Sequence, residues 1–274
     1  MSRCNVVAIA NQKGGVAKTT TTANLGIALA LSGKKALCID ADPQGDLTCS
    51  LGWQDQDSID YTLATVLGKA IAEDSIDPKE GILHHEEGID LLPSNIELSA
   101  LELTLVNTMS REYTLKGFID QIRPNYDFIL IDCMPSLGMI TINALTSADS
   151  VIIPVQSHYL PVKGMTQLIK TVNKVKRQVN PQLRIAGILP TLVDERTNIA
   201  RSTIGTIRES YGGNIPLFNT EVPFAVSAAE ATMMGKSVLS YDKNGKVAKA
   251  YSELAKEVLS DGKNLTKTKS TLCR

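Results

Sequence analysis

A glycine-containing turn directly follows the first apolar run of the chain and directly precedes a helical pattern. Residues Asn5–Ala10 form a short apolar run typical of a buried strand, Thr19–Leu31 has helical periodicity, and the connection reads NQKGGVAK. A loop between the carboxyl end of a strand and the amino end of a helix directs backbone N–H groups toward a bound anion. The turn therefore predicts an α/β fold with an anion site at the carboxyl edge of its sheet.

Apolar strand patterns alternate with helical patterns over most of the chain. The predicted strands are Asn5–Ala10, Ala36–Asp40, Gly88–Leu92, Phe128–Asp132, Ser150–Val155 and Arg184–Leu189. The predicted helices are Thr19–Leu31, Glu97–Val106, Leu115–Ile122, Ile140–Thr146, Pro161–Val179 and Arg196–Tyr211. Strands that alternate with helices pair in parallel, and almost continuously apolar strands are covered on both faces. We expect a doubly wound, mostly parallel sheet between two layers of helices.

Composition and length favour one globular domain. The 274 residues are 43% hydrophobic and 21% charged, which excludes a disordered chain or a coiled coil. We expect one domain over residues 1–260 and a basic, polar tail without regular structure over 261–274. No apolar run approaches the roughly 18 residues of a membrane span, so a cytoplasmic protein without a membrane partner is predicted.

Cysteine and histidine give no sign of a metal site or of a disulfide framework. The five cysteines lack CxxC spacing, and His84 and His85 are adjacent without companion ligands, as is the separate His158. We expect the cysteines to be reduced thiols, most of them in the core.

The glycine-containing turn has the residue types that a nucleoside triphosphate site requires. Backbone N–H groups of residues 14–20 can surround a phosphate, Lys18 can reach the β and γ phosphates, and the Thr19 hydroxyl can bind Mg²⁺. A chance Gly-Gly turn with lysines nearby is the alternative. The order strand, loop, lysine, threonine and helix favours the phosphate site, with ATP and Mg²⁺ as cofactors.

Aspartates end two of the predicted strands, where an open parallel sheet binds its ligands. Asp132 follows four apolar residues in YDFILID and is expected to hold Mg²⁺ through water. Asp40 and Asp42 end the other strand, in CIDADPQGDLT. For Asp40, an ordinary turn or helix cap is an equally good interpretation.

The segment KGGxxKTT resembles the deviant Walker A motif of the ParA/MinD class of P-loop ATPases. The strict pattern is interrupted because Gln12 and Ala17 stand at its two glycines. In that class an additional lysine, here Lys13, crosses a dimer interface to the partner's nucleotide, so the resemblance implies an ATP-sandwich homodimer. The nucleotide contacts it implies are Lys13, Gly14, Gly15, Val16, Ala17, Lys18, Thr19, Thr20 and Pro223.

The resemblance extends from Val6 to about Leu259 and is strongest to the Soj-like ParA proteins of chromosome and plasmid partition. It implies an ATPase with a weak intrinsic rate, non-specific DNA binding, a ParB-like partner and association with the nucleoid. It makes Asp42 the residue that positions the attacking water, beside Lys13 and Lys18 as catalytic residues. Thr19, Asp40 and Asp132 are then the magnesium residues.

One segment departs from the family pattern. Soj-like proteins usually read PRNVRLSEAP where this chain reads PFAVSAAEAT, so Phe224 and Ser227 replace arginines and Ala225 replaces an asparagine. At least one of those arginines belongs to the family's DNA-binding surface, so DNA binding in this chain must depend on other residues.

Charge along the chain supplies candidates for those other residues. Residues 1–150 hold 10 Lys and Arg against 20 Asp and Glu, whereas residues 151–274 hold 18 against 9. The candidate DNA contacts are Lys174, Lys176, Arg177, Arg196, Arg201, Arg208, Lys243, Lys246 and Lys249. Ordinary solvated helix charges are the alternative.

Two other functions share this loop. A MinD-like regulator that cycles on a membrane would need an amphipathic carboxyl-terminal helix, which the polar segment from Asp261 to Arg274 does not predict. A nitrogenase-reductase-like electron carrier would need cysteines that share an iron–sulfur cluster across a dimer, and only Cys133 lies near a suitable position.

Overall fold

The computed structural model describes residues 4–157, 162–194 and 196–271, and the elements below lie within them. The strands are β1 (Asn5–Ile9), β2 (Ala36–Ala41), β3 (Leu83–His84), β4 (Asp90–Leu92), β5 (Phe128–Cys133), β6 (Ser150–Gln156) and β7 (Arg184–Thr191). The helices are α1 (Lys18–Leu31), α2 (Asp46–Ser50), α3 (Leu63–Ile71), α4 (Glu97–Leu105), α5 (Thr114–Ile122), α6 (Met139–Ser147), α7 (Val162–Gln178), α8 (Asn198–Tyr211), α9 (Val226–Met233), α10 (Val238–Tyr241) and α11 (Lys246–Thr271).

These strands form one sheet in the order β3-β4-β2-β5-β1-β6-β7. All neighbouring pairs are parallel except β3 with β4. Strands β2 to β5 lie on one side of β1, and β6 and β7 lie on the other. The loop after β1 is therefore at the point where an open α/β sheet leaves a crevice for ligands. The predicted doubly wound, mostly parallel fold is confirmed.

Both faces of the sheet are buried. Along β1, Val6 and Ala8 belong to the core on one face and Val7 and Ile9 to the core on the other, as the alternation of side chains along a strand requires. Helices α3 to α7 cover the first face, whereas α1, α10 and α11 cover the second. The near-continuous apolar strands thus reflect burial on both sides.

The sequence patterns did not predict several short elements. Helices α2, α9 and α10 and the edge strand β3 are too short for a clear period in hydrophobicity, whereas α3 and α11, of nine and 26 residues, are at least as long as predicted helices and were also not predicted. The expected helix from Pro161 begins at Val162 in the described chain, and Pro161, His158 and Cys273 lie outside the described residues.

The carboxyl-terminal segment differs from its prediction. Helix α11 continues to Thr271, whereas a tail without regular structure was expected from Asp261. The segment contains no proline, and adding residues to a helix that already exists avoids the cost of nucleation, so Gly262 alone does not end it. Among the described residues, no helix combines the length and the apolar character needed to cross a membrane.

Candidate nucleotide and magnesium site

Strand register brings the predicted site residues to one edge of the sheet. Asp132 near the end of β5 pairs in register with Ile9 at the end of β1 and with Asp40 near the end of β2. The phosphate loop leaves β1 one residue beyond Ile9. The loop, Asp40 and Asp132 are therefore neighbours although more than 90 residues separate the two aspartates in sequence.

The phosphate loop has two residues with left-handed backbone conformations. Gly15 has φ 68°, and Ala17, directly before α1, has φ 62° and ψ 37°. Alternation of right- and left-handed residues turns successive backbone N–H groups inward and makes a concave anion site. A methyl group at the second of these positions is strained, because L-residues other than glycine seldom adopt this conformation.

Hydrogen bonds from Asn11, at the start of the loop, and from Thr191, outside it, hold the shape of the loop. The Asn11 amide donates to the Pro154 carbonyl oxygen at 2.7 Å and accepts from the Lys13 backbone N–H at 3.0 Å. The Thr191 hydroxyl, at the end of β7, donates to the Val16 carbonyl oxygen at 3.0 Å. Neither Asn11 nor Thr191 was predicted to take part in the site, although a polar residue at the end of a buried strand is a signal that could have found both.

Lysine and threonine at the start of α1 face Asp132 near the end of β5. The Thr19 hydroxyl donates to Asp132 Oδ2 at 2.7 Å, and the Thr22 hydroxyl donates to Asp132 Oδ1 at 3.2 Å. The Lys18 ammonium is buried and donates to the Lys13 carbonyl oxygen at 3.3 Å. These contacts place the predicted phosphate lysine and the predicted Mg²⁺ threonine beside the predicted Mg²⁺ aspartate.

Asp40 is a buried acceptor in a network of its own. Its Oδ2 accepts from the Thr48 backbone N–H at 2.9 Å and from the Thr48 hydroxyl at 2.7 Å, and its Oδ1 accepts from the Asp42 backbone N–H at 3.2 Å. The same hydroxyl accepts from the Ser94 backbone N–H at 3.1 Å. Thr48 therefore connects Asp40 to the end of β4, a role that the sequence did not predict.

Burial dominates the electrostatics of the two strand-end aspartates. It raises the pKa of Asp132 to about 8, with repulsion from Asp40 adding to the rise and the Thr19 hydrogen bond and Lys18 opposing it. It raises the pKa of Asp40 to about 7 against the hydrogen bonds from Thr48. Two buried carboxyl groups in register disfavour a second negative charge, so a cation at this edge would relieve a cost that is built into the fold.

Asp42 lies in the turn between β2 and α2 and is partly buried. Its carboxylate accepts from the Gln44 backbone N–H at 3.0 Å. Burial raises the pKa of Asp42, whereas the Gln44 hydrogen bond and the nearby Lys18 charge lower it. The Asp42 side chain is thus accessible at the same edge as the loop, as a water-positioning carboxylate must be.

Lys13 and Pro223 lie at the rim of this edge. Lys13 is exposed at the start of the loop. Pro223 pairs with Val193 just beyond β7, and the Phe224 backbone N–H donates to the Val193 carbonyl oxygen at 3.0 Å. The Phe224 side chain, at a family arginine position, is 61% exposed.

The basic residues predicted to contact DNA do not form one cluster. Lys174, Lys176 and Arg177 are exposed on α7, which covers one face of the sheet, and Lys246 and Lys249 are exposed on α11, which covers the other. Arg201 and Arg208 are exposed on α8, which contacts α7 through the Thr166 and Tyr211 hydroxyl groups at 3.0 Å. Lys243 precedes α11 in the chain.

Arg196 is already engaged within the chain. Its guanidinium binds both carboxylate oxygens of Asp194, at 2.9 and 3.0 Å. A bidentate pair of this geometry competes with a phosphate for the same donors, which weakens the case for Arg196 as a DNA contact.

Cys133, which an electron-carrier function would use, is a buried thiol. It is 1% exposed, its pKa is raised because of that burial, and its weak hydrogen bond goes to the Ile131 carbonyl oxygen. A cysteine that shares an iron–sulfur cluster between two subunits must be a thiolate and must reach the surface. Cys133 is neither ionised nor exposed in this fold.

The donor set suits magnesium with a triphosphate. The described residues contain no cluster of three or more acidic, His or Cys ligands, and Mg²⁺ is characteristically held by one or two carboxylates together with substrate phosphates and water. Thr19 and Asp132 supply hard oxygen donors beside the loop, and no neighbouring atom lies where a Gly14 side chain would project. Fold and site together define a P-loop nucleoside-triphosphate-binding protein.

Comparison with known proteins identifies the family. Residues 4–185 match the AAA domain family. The chain is 41% identical over 257 residues to the sporulation initiation inhibitor protein Soj of Bacillus subtilis. The aligned region covers 94% of this chain and 99% of Soj. It is 38% identical to the chromosome partitioning protein ParA of Caulobacter vibrioides, over 93% of this chain and 94% of ParA. The chain belongs to the Soj/ParA family of partitioning proteins.

A solved structure agrees with this assignment of the fold. The structure described as cobyrinic acid a,c-diamide synthase from Mycobacterium smegmatis, with a bound ATP analogue and magnesium, is 38% identical. It superposes with a TM-score of 0.76 over 89% of this chain and 98% of that one. A relative with the same fold thus binds an ATP analogue with magnesium.

Proposed function

We propose that this protein is an ATP-dependent partitioning ATPase that works as an ATP-linked homodimer on DNA. The observation that carries the proposal is the convergence of Lys18, Thr19 and Asp132 beneath a loop that also presents an exposed Lys13. Its similarity to Soj and ParA over nearly the whole length of all three chains supports the same function.

ATP and Mg²⁺ are the cofactors in this proposal. Residues 14–20 hold the phosphates through backbone N–H groups, and Lys18 neutralises the β and γ phosphates. Thr19 and Asp132 hold the magnesium ion, directly or through water, and Asp40 supports its ligand shell. Bound magnesium supplies positive charge to the phosphates and lowers the cost of ionising Asp132.

Hydrolysis depends on Asp42 in this proposal. Its carboxylate accepts a hydrogen bond from the attacking water and so holds that water in line with the γ phosphate. Lys13 extends to the partner subunit's nucleotide, so each site is completed only in the dimer. A weak rate for the isolated protein and stimulation by a ParB-like partner follow from this dependence on assembly.

The DNA surface in this proposal is the face formed by α7 and α8. Five of the nine candidate residues lie there, namely Lys174, Lys176, Arg177, Arg201 and Arg208. Phosphate contacts of this kind carry no sequence preference and weaken steeply with salt, as suits a protein that must release DNA. The protein would then act in the cytoplasm on the nucleoid.

Gel filtration and DNA binding with ATP, with ADP and without nucleotide test the proposal directly. We expect a dimer with ATP alone, and DNA binding in that state alone. Vesicles of anionic phospholipid serve as the comparison surface. Vesicle binding without DNA binding would instead indicate a MinD-like membrane cycle, and an ATP-independent monomer would overturn the proposed mechanism.

A further inference from the structure

A cavity of about 430 Å³ opens at the amino edge of the sheet, where no function has been assigned. Lys35 and Ala36 at the start of β2, Asp90 at the start of β4, and Tyr126 just before β5 line it. The phosphate loop lies at the carboxyl ends of these parallel strands, so the two sites are at opposite edges. The cavity volume lies within the roughly 300–1,000 Å³ typical of small-molecule sites.

The acidic group among the lining residues is already satisfied. Asp90 Oδ2 accepts from the Tyr126 hydroxyl at 2.7 Å, and Asp90 Oδ1 lies 2.6 Å from His84 Nδ1. Burial, together with the hydrogen bond to Asp90, raises the pKa of Tyr126, so its hydroxyl stays a neutral donor. The negative charge of Asp90 is thus engaged within the wall.

Two lysines that line the cavity lack such partners. Lys35 and Lys79 are both exposed, and neither forms an ion pair with any residue in the described part of the chain. The lining residues thus include two unpaired ammonium groups and one carboxylate that is already hydrogen-bonded. This leaves an excess of positive charge in the cavity. This excess favours an anionic occupant, even though the amino-terminal half of the chain is acidic.

Both lysines are attached to well-anchored backbone. The Lys35 N–H donates to Asp127 Oδ2 at 3.0 Å, and the Lys35 carbonyl oxygen accepts from the Asp127 and Phe128 backbone N–H groups at 2.9 and 3.1 Å. The loop carrying Lys79 is held by the Lys69–Glu80 ion pair at 3.0 Å. The backbone that carries each lysine is therefore held at the cavity, by hydrogen bonds at Lys35 and by an ion pair beside Lys79.

The Tyr61 ring also holds the loop that carries Lys79. It packs so closely on Gly81 that an added Cβ would lie 2.1 Å from its Cδ1 atom, and Gly81 has φ 75°. Ile82, Pro78 and Ala36 supply apolar surface in the same cavity. The cavity thus combines unpaired positive charge with an apolar wall.

We propose that this amino-edge cavity binds a small organic dianion, whose charged group pairs with Lys35 and Lys79 and whose apolar part contacts Ile82. The proposal is independent of the nucleotide site, because it uses none of that site's residues. Phosphate monoesters with a compact apolar group have the required charge and size.

Phenyl phosphate is a suitable probe, with ADP and Mg²⁺ at saturation so that the phosphate loop is occupied. Amide NMR spectra should show saturable shifts at Lys35, Asp90 and Tyr126, with a Kd in the millimolar range expected for a ligand of few atoms. Shifts confined to Gly14 and Gly15, or absence of saturable shifts, would overturn the proposal.

Paired variants identify the binding residues. Lys35→Ala with Lys79→Ala should raise the Kd at least about tenfold, because both cations are lost. Lys34→Ala with Lys116→Ala removes the same charge outside the cavity lining and should leave the Kd unchanged. Asn125→Trp, which fills the cavity without loss of charge, should also abolish binding. Equal effects of the two double variants would contradict a specific site.

Discussion

Asp40 and Asp132 are register partners on the neighbouring parallel strands β2 and β5, and both carboxyl groups are buried. The pair is held by hydroxyl donors from two helices, because Thr48 of α2 binds Asp40 and Thr19 of α1 binds Asp132. Burial and mutual repulsion disfavour the doubly ionised state. A divalent cation reverses that preference, so this relationship is the structural basis of the proposed magnesium site.

Lys18 and Lys13 should be separable by mutation. Lys18→Ala is expected to abolish ATP binding, because the β and γ phosphates lose their main cationic partner in the loop. Lys13→Ala should still bind ATP but fail to form the ATP-linked dimer. A fluorescent nucleotide measures the first effect and analytical ultracentrifugation the second. Equal loss of nucleotide binding in both variants would remove the basis for a shared site.

Asp42→Ala should retain ATP binding and the dimer while losing turnover. A carboxylate that positions water acts mainly in the transition state, so we expect a loss of at least about hundredfold in single-turnover hydrolysis. Asp46→Ala, on the exposed first turn of α2, is the matched control and should hydrolyse normally. Unchanged hydrolysis by Asp42→Ala would show that Asp42 does not position the water, and Asp40 would be tested next.

Ala17→Gly should stabilise the ligand-free protein, an unusual outcome for a glycine at the start of a helix. The left-handed conformation of Ala17 favours glycine, so the free energy of unfolding should rise by about 0.5–1 kcal/mol. Ala72→Gly, at an exposed helix end with φ −76°, should instead lower it by a similar amount. Urea denaturation compares the two, and destabilisation by both would show that Ala17 is not strained.

Thr48→Val should destabilise the fold although it preserves side-chain shape. The change removes the hydroxyl that donates to Asp40 and accepts from Ser94, which leaves the buried Ser94 N–H without this acceptor and Asp40 Oδ2 with one donor fewer, at a cost of about 2 kcal/mol. Thr206→Val, whose hydroxyl binds only its own helix at Ser202, is the control and should change stability by less than about 0.5 kcal/mol. Similar denaturation midpoints for the two variants would contradict the role of Thr48.

Salt dependence tests the proposed DNA face. Log affinity for duplex DNA should fall with log salt by roughly 0.9 per phosphate contact, and Arg201→Ala with Arg208→Ala should flatten that slope by up to about two. Lys246→Ala with Lys249→Ala, on the opposite face of the sheet, should leave the slope unchanged. A reversed pattern would place DNA on α11, and no change with either pair would favour a protein partner.

Much of the site could be predicted because local sequence carries it. Gly15, Lys18 and Thr19 lie in a loop and helix start whose ends are fixed by a strand and a helix, and both elements have clear patterns. Asn11, Thr48 and Thr191 were not predicted. Their partners are Pro154, Asp40 and Val16 respectively, and most of these pairs meet because strands pair, which the spacing of residues along the chain does not reveal.

The sequence by itself determined the doubly wound class, the phosphate loop and the aspartates at strand ends, because each depends on periodicity or on residues within one turn of chain. Tertiary structure alone decided that Asp40 and Asp132 are register partners, that Cys133 is buried, and that the basic residues divide between two faces. These properties depend on which strands become neighbours and on which face each helix packs. Such long-range packing leaves no trace in the spacing of residues along the chain.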